Sequence, residues 1–297
     1  MCCASCGIAE VDDIKLTMCD GGCDLVKYCS DECQNNNMEQ HEEECRKRVG
    51  ELRDDDLFTQ PDGSHFGECP ICFLPLSIDE SKSKLMGCCS KFICMGCEYA
   101  NKKREVAQRL KQRCAFCREP LPESSGESKK NIMKRIKKHN DPVAMAHMGT
   151  KHHYKGEYEK ALPYYTKAAE LGDPAANFCL GGMYYHKEGV ERDMKKAVYH
   201  LEQAAIGGHP DARYLLADHE LRNGRPDRAV KHFIIAANLG SDLTLKCIKD
   251  LFVQGIVSKE EYAAALRGHQ AAVDATKSTG REKAEVARKL GLGDFTT

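Results

Sequence analysis

From residue 141 onward the apolar and small residues recur in register. The blocks DPVAMAHMG (141–149), DPAANFCLG (173–181) and HPDARYLLA (209–217) align without gaps. Each is followed by a second block: ALPYYTKAAELG (161–172), AVYHLEQAAIGG (197–208) and AVKHFIIAANLG (229–240). Ala144, Ala176 and Ala212 are equivalent, as are Ala161, Ala197 and Ala229, and the pairs Ala168-Ala169, Ala204-Ala205 and Ala236-Ala237. Small residues at fixed helical spacing predict helix pairs that approach closely, stacked one on the next. Gly after each second block supplies a C-cap, and Pro opens the following helix. The repeats are 32 and 36 residues long, the difference being a longer inner loop, HKEGVERD. Pro163 lies inside a predicted helix and is expected to kink it or delay its start. Residues 241–268 decay into a degenerate fourth unit. Ser258 with Glu261 predicts a capping box before EYAAALRGHQAAVDATK, a helix that closes the end of a solenoid spanning 141–276. The tail, 277–297, carries REKAEVARKL, a charged helical segment.

Upstream the patterns are shorter. EYANKKREVAQRLKQR (98–113) lacks Gly and Pro and predicts a helix with Tyr99, Val106 and Leu110 on one face and Lys102, Lys103, Arg104, Lys111 and Arg113 in solvent. KKNIMKRIKKHN (129–140) carries a short stripe of Ile132, Met133 and Ile136 among basic residues. It reads as a solvated lead-in helix, with a nuclear-localisation patch as the alternative. Residues 46–66, with a Pro-Asp-Gly turn, read as a linker, and 121–140 as a basic one. His65 reads as an ordinary exposed histidine.

Composition divides the 297-residue chain in two. Of 18 cysteines, 16 precede residue 118, and only Cys179 and Cys247 follow, both expected to pack rather than react. The front is therefore held by metal and the back by apolar burial. Forty-four basic and 45 acidic residues leave a net charge of −1, which gives no electrostatic argument for nucleic acid. No apolar run approaches a membrane span, and MCCASCGIAE does not read as a signal peptide. The expected setting is the cytoplasm or nucleus, where thiols stay reduced.

Two thiol-rich constellations carry the chemistry. The first holds Cys3-x-x-Cys6, Cys19-DGG-Cys23, Cys29-SDE-Cys33 and His41-EEE-Cys45. The second runs from CPIC (Cys69, Cys72) through Cys88, Cys89, Cys94 and Cys97 to CAFC (Cys114, Cys117). Cys-x-x-Cys turns converge two sulfurs on one ion, as tetrahedral zinc requires. Eight ligands per constellation make two closed sets of four, so four zinc ions are expected. Closed sets leave no place for a bound water, which makes these zincs structural.

YCSDECQ followed by H-x3-C resembles the MYND finger, here residues 1–45. The resemblance implies Cys3, Cys6, Cys29 and Cys33 on one ion and Cys19, Cys23, His41 and Cys45 on the other, with Cys2 spare and Gly21 and Gly22 absorbing a wider turn. It also implies a peptide groove at Gln34, with Met38 where the family generally carries Trp. Residues 67–120 resemble a RING finger, a cross-brace of two zincs. That implies Cys69, Cys72, Cys94 and Cys97 on one ion and Cys88, Cys89, Cys114 and Cys117 on the second. Here Lys91 stands at a usual ligand position, and Cys88 supplies the missing thiolate. The repeats resemble the Sel-1-like array, a relative of the tetratricopeptide solenoid. The expected fold is mainly α: two small zinc-stabilised domains, then an α-solenoid of helical hairpins.

Two readings of function follow. In the first, the RING resemblance implies a ubiquitin ligase that holds a ubiquitin-conjugating enzyme through Ile71 and contacts enzyme and ubiquitin through Arg118, with clients held by the MYND and repeat surfaces. In the second, the chain is a non-enzymatic scaffold of interaction modules. Both make its partners proteins rather than small-molecule substrates, nucleic acid or membrane. No catalytic residue is expected: nothing resembles a nucleophile–base pair, a phosphate loop or an open metal site.

Overall fold

A computed structural model of the chain describes residues 3–6, 10 and 15–291, the side chain of Met38 excepted; Cys2 and the end of the tail lie outside the described residues. The chain is mainly α-helical and divides into two compact units between Thr59 and Gln60. In the first unit a two-residue strand β1 (Thr17–Met18) pairs antiparallel with β2 (Lys27–Tyr28), and a long helix α1 (Asp31–Phe58) follows. Ser30 caps α1, its Oγ accepting from the Cys33 N–H. The helix continues through residues 46–58, where a linker was expected. Glu42–Arg46 and Arg48–Glu51 pair along it, and no proline interrupts it before Pro61. Apart from Leu16 and Tyr28, the buried cluster of this unit is made of cysteines.

The second unit opens with a short 3-10 turn (Glu80–Lys82). A hairpin of β3 (Ser83–Met86) and β4 (Lys91–Cys94) and the helix α2 (Met95–Ala107) follow. Next come α3 (Ser125–His139), α4 (Pro142–His153), α5 (Tyr158–Glu170), α6 (Pro174–His186), α7 (Met194–Ile206), α8 (Pro210–Arg222) and α9 (Pro226–Asn238). The chain ends in α10 (Asp242–Val253), α11 (Lys259–Ala275) and α12 (Thr279–Lys289).

The helices from α4 to α9 pack as three consecutive hairpins. At every repeat the aligned alanines are buried to within 2% at Ala144, Ala176, Ala212, Ala161, Ala197 and Ala229. Where a hairpin closes tightest the residue is glycine: a Cβ on Gly149 would meet the Tyr165 ring at 2.6 Å, and one on Gly181 the Leu201 side chain at 2.7 Å. Pro142, Pro174 and Pro210 open their helices, and Gly172, Gly208 and Gly240 end the preceding ones with positive φ. Pro163 does not delay α5, which begins at Tyr158; the proline costs one backbone bond in a helix otherwise held by its buried face, Ala161, Tyr165 and Ala168. Ser258 and Glu261 make the reciprocal capping box of α11. Cys179 packs among the apolar residues of the first repeats, and burial raises its thiol to about 11.

Three corrections concern the zinc-rich part of this unit. Val106 and Leu110 are exposed, whereas Glu98 and Glu105 are buried at 2%. The hidden face of α2 is polar because its charges are partnered: Glu98 takes Lys84 at 3.1 Å and Lys102 at 3.6 Å, and Glu105 accepts the Arg113 N–H. Lys102 is thereby drawn out of solvent. His65 is not an exposed histidine. It stacks on His209 at 4.1 Å between ring centroids, His209 stacks on Phe178 at 4.2 Å, and Phe66 meets Phe92 at 5.0 Å. The His65 N–H donates to the Gly208 carbonyl, and burial lowers the His65 imidazole to about 4, so it stays neutral. Residues 60–66 therefore run along the repeats instead of hanging free. The basic helix α3 packs Ile132 against Ala144 and Met148 of α4.

Two predictions follow from this packing. Gly208 has φ +81°, and a Cβ there would meet the Gly63 carbonyl oxygen at 2.5 Å, whereas nothing lies within 4 Å of a Cβ on Gly172, φ +83°. Gly208→Ala is expected to cost about 1–3 kcal/mol and raise hydrogen exchange over residues 60–66. Gly172→Ala should show only the backbone cost, about 1 kcal/mol. Equal losses in both would mean that the docked linker adds nothing. The second concerns two equivalent N-caps. Asp141 is buried, which raises its carboxyl, but Arg135 at 2.5 Å and the Ala144 N–H outweigh this and hold it low. At Asp173 burial prevails and pushes the carboxyl up to about 6. The folded chain then binds an extra proton between pH ~4 and ~6, so stability falls as pH rises through that window. Asp173→Asn keeps the oxygen that accepts from Ala176. It should gain about 1–2 kcal/mol at pH 7 and nothing at pH 4 in denaturant titrations.

Candidate metal centres

In the first unit the hairpin and the start of α1 converge. Cys19 and Cys23 flank the turn after β1, Cys29 and Cys33 bracket the cap of α1, and His41 and Cys45 lie one helical turn apart on its buried face. Two sets result, Cys3, Cys6, Cys29, Cys33 and Cys19, Cys23, His41, Cys45, the donor atoms of each within 4.8 Å of one another. Cys6–Cys29, Cys29–Cys33 and Cys19–Cys45 have sulfurs 3.5, 3.6 and 3.7 Å apart, and Cys23 Sγ lies 3.1 Å from His41 Nε2. A tetrahedron with metal–sulfur bonds of about 2.3 Å has edges of about 3.8 Å. Gly21 makes the second set possible, since a Cβ there would touch the Cys45 sulfur at 2.6 Å; Gly22, φ +84°, turns the chain. Gln34 is buried at 7%, its Oε1 accepting from the Asp20 N–H, and the side chain of Met38 lies outside the described residues.

The second unit builds its centres from two matching knuckles. Around Cys69 and Cys72 the Cys69 N–H donates to the Leu74 carbonyl and the Phe73 N–H to the Cys69 carbonyl. Around Cys114 and Cys117 the Cys114 N–H donates to Glu119 and the Arg118 N–H to Cys114. Phe73 and Arg118 hold the same place in each and take the same left-handed backbone, φ 55° and 63°. The first knuckle meets Cys94, at the end of β4, and Cys97, whose N–H donates to the Cys94 sulfur at the start of α2. The second meets the β3–β4 turn, where Ser90 in the left-handed region bends the chain so that adjacent Cys88 and Cys89 both reach in. Cys88–Cys117 sulfurs are 3.3 Å apart and Cys89–Cys114 sulfurs 3.9 Å. Lys91 begins β4, exposed, outside the cluster. First with third pair and second with fourth is the cross-brace order.

These donors suit zinc. Each set offers four, all sulfur or imidazole, and gathering three or four thiolates at one site is unfavourable unless a cation takes their charge. Within the Cys69, Cys72, Cys94, Cys97 set the Cys94 hydrogen bond draws the Cys69 thiol down to about 4, while burial pushes Cys97 up to about 12. The four clusters fit four zinc ions, which bound would tie together segments that share little apolar core.

Residues 3–45 match the MYND finger family, and residues 142–173, 174–209 and 210–241 each match the Sel1 repeat. The chain carries a MYND finger and three Sel1 repeats. An uncharacterized protein of Neisseria meningitidis serogroup B is 31% identical over 137 residues, 46% of this chain and 29% of that protein, so the chain spans less than a third of that relative's length. Among solved structures, a Sel1 repeat protein from Oxalobacter formigenes is 27% identical, covers 52% of this chain and 66% of its own, and has a TM-score of 0.44. A protective antigen present in uropathogenic Escherichia coli strains, displaying an SLR fold, is 20% identical over 60% of this chain and 38% of its own, with a TM-score of 0.40. Of the two contact residues expected in the second finger, Ile71 is 37% exposed, and Arg118, also exposed, donates to Asn101 Oδ1 at 2.6 Å. Sequence reasoning missed Asn101, the Glu98 charge cluster and Arg281. Gly96 beside Cys97 and the Gly280-Arg281 pair in the tail were the available signals for the last.

Elemental analysis of protein purified without chelator should give four zincs per chain. Cys88→Ser is expected to lower the content by one ion and Cys69→Ser by at least one, with loss of the second finger's fold. An unchanged count for Cys88→Ser would remove the adjacent pair from the ligand set.

Proposed function

We propose that residues 67–120 form a RING-type finger that docks a ubiquitin-conjugating enzyme while the MYND finger and Sel1 repeats hold a protein client. The coarser statement stands on the modules themselves: this is a zinc-binding interaction protein. What supports the finer reading is the surface of the two knuckles. Ile71 is 37%, Phe73 72% and Phe116 43% exposed, and Phe73 sits in a backbone conformation that costs an L-residue about 1–2 kcal/mol. The knuckle sets that backbone, as it does at Arg118; it is the exposure of the apolar side chains Ile71, Phe73 and Phe116 that is better explained by a partner than by packing. Metal-braced turns present such side chains with little entropy left to lose on binding. A ligase of this kind works by orienting another enzyme's thioester and needs no nucleophile of its own. Its setting would be the cytoplasm or nucleus.

The scaffold reading has one observation of its own. The Arg118 guanidinium is already engaged by Asn101, whose Nδ2 donates in turn to the Arg113 carbonyl, an arrangement that suffices to brace the second knuckle.

Discharge of a ubiquitin-loaded conjugating enzyme separates the two. Wild-type protein should accelerate it with at least one member of a broad enzyme panel. Ile71→Ala should weaken docking by about 1–3 kcal/mol, roughly tenfold or more. Arg118→Ala should slow discharge with docking nearly intact, because its bonds would matter mainly in the reacting complex. No acceleration by the wild type across the panel favours the scaffold, and acceleration untouched in both variants removes these residues from the contact.

A further inference from the structure

The final helix reaches back across the chain to a metal centre. α12 packs against α2, burying Ala284 and Ala287. Its first turn comes so close that a Cβ on Gly96, between ligands Cys94 and Cys97, would meet the Arg281 nitrogen at 2.8 Å and the Gly280 carbonyl carbon at 2.9 Å. From that position the Arg281 guanidinium spreads over the first knuckle. Nη1 donates to the Pro75 carbonyl at 2.6 Å and to the Thr276 carbonyl at 2.7 Å. Nη2 donates to the Leu74 carbonyl at 3.1 Å and to the sulfur of Cys72 at 3.5 Å.

We propose that Arg281 is a positioning residue for the Cys69–Cys72–Cys94–Cys97 metal centre, and that α12 is the latch that carries it there. The fork of a guanidinium suits the task. It binds two consecutive carbonyls of the segment leaving the knuckle and a ligand sulfur at once, which fixes the knuckle's shape, while its charge offsets that of a four-thiolate site. The Leu74 carbonyl that it holds also accepts the Cys69 N–H, so one residue touches the hydrogen bonding of both knuckle ligands. Sequence alone places these groups more than two hundred positions apart.

The test is zinc release from the full-length holoprotein into a chromophoric chelator, with hydrogen exchange read alongside. In Arg281→Ala one of the four ions is expected to leave at least tenfold faster, the other three keeping the wild-type rate. Amides from Cys69 to Leu76 should exchange faster, and those of the Sel1 repeats should not change. Arg281→Lys, which keeps the charge without the fork, should restore the rate only in part. Ala284→Glu, which drives α12 off the finger while keeping the arginine in the chain, should reproduce the single-ion effect, and it decides the matter should Arg281→Ala fail to fold. Wild-type release of all four ions from Arg281→Ala and Ala284→Glu overturns the assignment. So does acceleration shared equally by all four, which would mark Arg281 as a general support of the fold.

Discussion

Everything in the front part of this protein depends on sulfur donors being held within reach of one another. The buried cluster of the MYND finger is largely its own ligands, with Leu16 and Tyr28 beside them, and that of the second finger adds Leu76, Met86, Ile93 and Ala115 to Cys69, Cys94 and Cys114. So few apolar side chains cannot offset the conformational entropy of ordering such loops. A cation at each set is therefore the core in the energetic sense, and the backbone is shaped to deliver ligands to it. Gly21 gives up its side chain so that Cys45 can approach, and Phe73, Ser90 and Arg118 accept left-handed backbones for the same end.

The repeats solve the opposite problem with no special chemistry. Alanines at matched points bring helices together, and larger residues such as Tyr165, Leu201 and Phe233 pack against the partner helix of their own hairpin. Asp141, Asp173 and Ser241 are buried at caps, each accepting from the first turn of a helix, while Asn177, Glu202, Arg213, Glu220 and His232 are polar residues buried within the helices themselves. The two regimes meet at residues 60–66, where a run of rings from Phe178 through His209, His65 and Phe66 to Phe92 passes from the second Sel1 repeat into the second finger.

What was legible in the sequence was what repeats or what has a fixed spacing. Three aligned blocks with alanine in register announce helix pairs, and Cys-x-x-Cys announces a metal knuckle. Neither depends on what surrounds it. The sequence did not show what depends on the far end of the chain. Periodicity put Val106 and Leu110 on one face of a helix running to residue 113, yet α2 ends at Ala107, short of Leu110, and its buried face is that of Glu98 and Glu105, because lysines from β3 and α2 and a backbone N–H from beyond the helix complete their hydrogen bonding. His65 looked like any histidine in a polar linker, since its partner His209 is a helix-opening residue of a distant repeat. α1 outran its expected end for a plainer reason: Gly50 alone does not stop a helix that has Arg46, Lys47 and Arg48 before it, Glu51, Leu52 and Arg53 after it, and no proline before Pro61.

Solenoids ordinarily gain and lose repeats freely, because each unit knows only its neighbours. This one is tied to a body of fixed size. The second finger is touched by α3 at one end of the array, where Ile132 approaches Gly87, by Gly208 in the middle through the linker, and by α12 at the other end. Inserting one more hairpin would carry α12 away by roughly the 10 Å that separates packed helices, far beyond the reach of Arg281's hydrogen bonds. The number of Sel1 repeats is in this sense measured by the finger they surround: duplication, the usual route by which such arrays evolve, is closed here unless the tail lengthens with it.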